Sequence, residues 1–168
     1  MKKKLVILGI LVLLTGAYLS YLACPFSIGY EQVLQIEDAE SQEVVSLPLA
    51  SGGFTLKFQH SVHLTPVYEV YQVDSHNNMV LTETRFFSLG VGMPFTSEEG
   101  VFSNKEGEFC ITGLNRKITN IPLRVSPIPD HTVIIDGKPY SLVSFGQPGG
   151  LINISTRKKW VFIEKKLL

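Results

Sequence analysis

The chain reads as an all-β protein, an antiparallel β-sandwich or open barrel of about ten short strands, preceded by one N-terminal membrane helix. Three observations lead there. Short runs rich in β-branched and aromatic residues recur from residue 31 onward, separated by Gly, Pro, Asn and Asp. No helical periodicity of useful length occurs after residue 25. The first two dozen residues are three lysines followed by an almost unbroken apolar run.

That first segment, MKKKLVILGILVLLTGAYLSYLAC, carries a topology signal. Lys2, Lys3 and Lys4 favour the cytoplasmic side, which sends the chain after Cys24 outward. The run from Leu5 to Cys24 would span roughly 30 Å as a helix at 1.5 Å per residue, the thickness of the hydrocarbon core. Two fates fit it. A signal-anchor keeps the helix and ends it at Pro25. A lipoprotein signal is cleaved after the small Ala23, and Cys24 then carries lipid; Tyr21 stands where such signals usually place leucine. Both leave a single-pass or lipid-anchored protein at the cell membrane, with its domain extracytoplasmic. The expected organisation is residues 1–24 as the signal helix, 25–30 as a tether, and 31–168 as the β domain.

Bulk composition sets further bounds. Of 168 residues 45% are hydrophobic and 18% charged, enough to build a core. Lys2, Lys3 and Lys4 account for three of 15 basic residues, so the rest, against 15 acidic ones, is mildly acidic. Such a body offers no footprint for nucleic acid. The basic cluster Arg157, Lys158 and Lys159, followed by Lys165 and Lys166, reads as a solvated strand end or as a contact for anionic headgroups. Cys110 is the only cysteine besides Cys24 and reads as a small buried hydrophobe.

Strands are expected at 32–37, 43–48, 54–60, 67–73, 80–87, 108–112, 123–126, 131–135, 140–145, 151–155 and 159–164, with Asp136-Gly137 as a hairpin turn. The meander from Phe54 to Phe87 is the most informative part. The simplest hairpin sets residue 60 opposite 67, and the next sets 69 opposite 84. One face then carries Phe54, Leu56, Phe58, His60, Val67, Glu69, Tyr71, Val73, Val80, Thr82, Thr84 and Phe86. The other carries Lys57, Tyr68, Leu81, Glu83 and Arg85, among others. His60 and Glu69 are thus polar groups on the core face. Burying an unpaired carboxylate costs several kcal/mol, so Glu69 needs a partner, and His60 is the obvious one, with the Ser61 and Thr65 hydroxyls nearby. The pair is either a structural knot or a ligand site. Glu83 and Arg85, alternate residues of one strand, read as a surface ion pair or as an anion-recognition arginine.

For chemistry the inventory is short. Neither a zinc pattern nor a hydrolase or protease motif is present, and no metal or cofactor is expected. Ser61 adjoins His60, but neighbouring strand residues point to opposite faces. The glycine-spaced run from Ser88 to Pro94 lacks a phosphate-loop lysine and reads as a flexible loop, open to a recognition role. The chain is expected not to be an enzyme.

H-S-V-x-x-T-P-V-x-E from His60 to Glu69, with E-T-R-F-x-S-x-G-x-G-x-P from Glu83 to Pro94 and the later Glu99-Gly100, resembles the family known as domain of unknown function 1850. The resemblance implies a small exported or anchored bacterial protein, often associated with tripartite ATP-independent periplasmic transporters of the TAXI type. It assigns no functional residues; the expected role is an accessory or interaction protein of such an uptake system, with a permease or solute-binding protein as partner. A small-molecule or ion-binding module built on His60 and Glu69 is the alternative.

Overall fold

The computed structural model describes residues 2–23, 25–88 and 100–164. Contacts divide the chain into two units, residues 31–159 and residues 1–30 with 160–168. The elements in order are α1 (Lys2–Ala23), β1 (Phe26–Asp38), β2 (Val44–Pro48), β3 (Gly53–Gln59), β4 (Pro66–Val73), β5 (Met79–Phe86) and β6 (Val101–Lys105). There follow β7 (Glu108–Ile118), β8 (Ile121–Arg124), β9 (Thr132–Ile135), β10 (Lys138–Ser141), a 3-10 turn at Leu142–Phe145, and β11 (Leu151–Glu164).

In the larger unit the strands form two antiparallel sheets, ordered β2-β1-β11-β8 and β10-β9-β3-β4-β5-β7-β6. The strands that build the core contribute alternate side chains to the layer between the sheets, as a period of two requires. Leu34 and Ile36 of β1 and Ile152 and Ile154 of β11 meet Phe54 and Leu56 of β3, Leu81 of β5, and Val133 and Ile135 of β9. A smaller cluster of Val67, Phe86 and Ile111 packs with Phe109 at the end of the meander. The sandwich-like all-β fold agrees with the reading from sequence.

Local differences have local causes. The expected strands at 151–155 and 159–164 are one strand, since Arg157, Lys158 and Lys159 are exposed and interrupt no burial. Residues 26–30, expected as a tether, already belong to β1. β6 was not expected, because all five of its side chains are exposed and none marks a core face. It pairs with β7 across Glu106-Gly107, which take positive φ of 51° and 87°. The segment expected as a strand at 140–145 leaves the sheet at Leu142 for the 3-10 turn, and Asp136-Gly137 turns as anticipated with φ of 49° and 78°. Gly53 opens β3 where a Cβ would stand 2.6 Å from Tyr71 O, so no larger residue fits that approach.

The meander is shifted twice from the simplest register. Phe58 faces Val67 and Gln59 faces Pro66, so the loop between β3 and β4 is 60–65. A displacement of two in the pairing keeps every side chain on its expected face. On β5 the pairing with β4 follows expectation from Val67–Phe86 to Val70–Glu83, then slips by one past Val70. The bulge leaves Thr82 unpaired, its Oγ1 donating to Val70 O at 3.2 Å. Met79 and Leu81 therefore turn inward, where Val80 and Thr82 had been expected, and Leu81 leaves the wet face.

In the smaller unit, α1 exposes its apolar side chains, among them Leu11, Leu13 and Leu19. Its continuously described side chains run over residues 6–21, about 24 Å of helix. Among the described residues no helix is long and apolar enough to cross a membrane.

Candidate functional site

The loop 60–65 is built by its first residue. β3 ends at Gln59, and His60 N donates to Thr65 O at 2.8 Å while Leu64 N donates to His60 O at 2.9 Å. The His60 ring folds over the turn. Its Nδ1 accepts from the Val62 and His63 amides at 3.3 and 3.2 Å, which places the neutral ring's proton on Nε2. Gln59 Nε2 fastens the far side by donating to Leu64 O at 2.9 Å. Thr65 Oγ1 meets Ser88 Oγ at 3.1 Å, joining the loop to the end of the next hairpin. So braced, the loop holds Leu64 at a φ of 53°, a conformation costing a side chain about 1–2 kcal/mol. Val62 and Leu64 stand 72% and 60% exposed.

His60 is thus not the partner of Glu69. The slid loop takes His60 out of the strand, while Glu69 stays on the inner face opposite Leu56 and Thr84. Its carboxylate accepts a hydrogen bond from Tyr71 Oη at 2.7 Å. Burial pushes the Glu69 carboxyl up, against the opposing pull of the Tyr71 hydrogen bond and the Arg116 charge. The same burial, with the neighbouring carboxylate, raises the Tyr71 phenol far above its usual range. Tyr71 stacks on Phe54 with ring centroids 4.9 Å apart, so its aim at Glu69 is fixed by packing. The partner of Glu69 is therefore Tyr71 and not His60.

A pH test follows. Because its folded pKa is raised, Glu69 favours the folded state below pH 4.5 and costs stability as pH rises through the folded value. Glu69→Gln keeps an acceptor for Tyr71 and removes that slope. The variant's urea midpoint is expected to gain on wild type as pH rises above 4.5. Parallel profiles would mean that Glu69 is solvated.

Glu83 and Arg85 lie on the outer face, paired Nε to Oε1 at 2.9 Å. The guanidinium also approaches Glu108 at 3.9 Å and lies over the Tyr68 ring, 5.3 Å from its centroid. Two carboxylates and a ring already occupy Arg85, which suits a surface lattice more than anion capture. Cys110, directly across from Arg85 on β7, is a free half-buried thiol that burial keeps protonated. Beside this lattice lies a cavity of about 260 Å³ lined by Lys57, Phe58, Gln59, Pro66, Tyr68 and Asp130. Lys57 Nζ is 4.0 Å from Asp130 there. Nothing local in the sequence joins those two; the pairing of β3 with β9 does.

The structure thus brings Thr65 to Ser88 and Glu83 to Arg85, leaves Ser61 exposed at the loop tip, and separates the roles of His60 and Glu69. Among the described residues no three of His, Cys, Asp and Glu converge to hold a metal ion. Cys24 and residues 89–99, which hold most of the glycine-spaced run, lie outside the described residues.

Residues 54–142 match the family described as Domain of unknown function (DUF1850). The chain belongs to the DUF1850 family. The match covers β3 to β10, which includes the whole meander, the braced loop and the outer-face lattice. No curated protein and no solved structure matches the chain.

Proposed function

We propose that this DUF1850 protein is a membrane-anchored, extracytoplasmic docking module, a non-enzymatic accessory of a TAXI-type tripartite solute-uptake system. The observation that carries the reading is the loop 60–65. A hydrogen-bonded frame holds Val62 and Leu64 out in water, one of them in a strained conformation. Strain of this kind persists where the surroundings over-determine it, and it gathers at functional positions. Two rigid apolar knobs cost little entropy when a partner covers them. The loop also begins the H-S-V-x-x-T-P motif on which the family resemblance rests. For the anchoring, support comes from Lys2, Lys3 and Lys4 ahead of the apolar residues of α1.

The test is capture of the C-terminally tagged full chain from gently solubilised native membranes, read by mass spectrometry. A permease or solute-binding protein of such a system is expected, absent from a control carrying residues 1–25 alone. Recovery of the tagged chain without either would contradict the accessory role. A second reading is favoured by the outer-face cavity, whose Lys57, Gln59 and Asp130 suit a small polar ligand better than His60 and Glu69 do.

A further inference from the structure

β1 and β11 run on as a two-stranded ribbon in the same unit as α1. Tyr30 and Trp160 meet edge to face with centroids 6.2 Å apart, so the two share one face of the ribbon. The period of two along a strand adds Phe26 and Ile28 on β1 and Phe162 on β11. All five are exposed, from 49% at Phe26 to 78% at Phe162. An exposed face of four aromatic rings and an isoleucine is not what a solvated ribbon presents.

We propose that this face is a lipid-contact surface, which beds the ribbon in the headgroup layer of the extracytoplasmic leaflet with anionic phospholipid as its ligand. The inference rests on the membrane anchoring stated above and gives it a second point of attachment. Three observations favour lipid over protein. The ribbon starts at Phe26, three residues beyond the end of α1 at Ala23, which is at most about 10 Å of chain. It therefore stays at the membrane surface whether residue 24 follows a retained helix or carries lipid. The face is centred on Tyr30 and Trp160, whose rings pair an apolar body with a polar edge of the kind that collects at headgroup depth. Arg157, Lys158 and Lys159 directly precede Trp160 in the sequence; Lys158 has its parity and the other two the opposite one, and long cationic side chains next to an aromatic run favour an anionic surface.

Trp160 is the only tryptophan in the chain, so its fluorescence reports on this face alone. The full chain is reconstituted into phosphatidylethanolamine–phosphatidylglycerol vesicles, with and without brominated acyl chains, and flotation is scored separately. The expected result is blue-shifted emission, strong quenching by the brominated lipid and little quenching by aqueous iodide. Ile28→Ser with Phe162→Ser, both at exposed positions, should float equally and lose the lipid quenching. A chain that floats while Trp160 is quenched by iodide, or is shielded from iodide without lipid quenching, overturns the proposal and leaves the anchoring intact. A chain that fails to float overturns both.

Discussion

Phe86→Ala is expected to cost about 3–5 kcal/mol, the range for deleting a buried aromatic ring. Phe86 is 1% exposed, sits opposite Val67 on β4 and Phe109 on β7, and stacks on the Phe109 ring at 5.5 Å. Its cluster is the small one at the loop end of the meander, with Val67 and Ile111. Few neighbours are available to collapse into the space, so the cavity persists and its cost adds to the lost transfer energy. A domain of this size is stable by roughly 5–15 kcal/mol, so the variant should remain folded in the cold and unfold at much lower urea. Ser88, two residues on, bonds the 60–65 loop, and the loop should become protease-sensitive before the rest of the domain does. A midpoint shift of under about 1 kcal/mol would mean that the cluster is not packed as described.

The second large effect concerns binding. Val62→Asp combined with Leu64→Asp should abolish partner capture and leave the urea midpoint close to wild type. Both side chains lie mostly in water, so their replacement removes little buried surface. Aspartate tolerates the left-handed backbone at position 64 better than leucine does, which offsets part of any loss. In an interface, two carboxylates facing an apolar partner would be desolvated without counter-charges, a penalty of several kcal/mol. His60→Ala makes a gentler comparison. It removes the acceptor of the Val62 and His63 amides, loosens the loop, and should weaken capture without ending it. Capture at wild-type levels by the double variant would place docking elsewhere on the molecule.

How far the sequence could be read depended on whether a feature was set by parity or by count. The faces of β3 and β4 follow from alternation alone, and Phe54, Leu56, Val67 and Tyr71 are inside as expected. A slide of the hairpin by two in register does not disturb that parity, but it moves His60 from strand to loop. The His60–Glu69 pair does not form for this reason, and Glu69 takes another partner. Tyr71, two residues along the same face, was the nearer donor. The bulge at Thr82 inverts one half of β5. Only Met79 and Leu81, stronger core residues than Val80 and Thr82, hint at the inversion. β6 escaped because an exposed edge strand needs no apolar face, and the Lys57–Asp130 contact escaped because tertiary pairing makes it. The ribbon face was hidden by reading residues 25–30 and 159–164 as separate pieces; paired, their aromatic residues form one surface.

The rigid, exposed, strained loop is the centre of the functional account, and site-specific photo-crosslinking addresses it directly. A photoreactive amino acid placed at Leu64 of the full chain is activated in intact cells, with Glu40, an exposed residue in the turn after β1, as the comparison position. A crosslink from position 64 to a permease or solute-binding protein of the uptake system is expected, and none to it from position 40. Equal or absent crosslinking to those partners at position 64, in a chain that is folded and membrane-bound, would contradict this docking role.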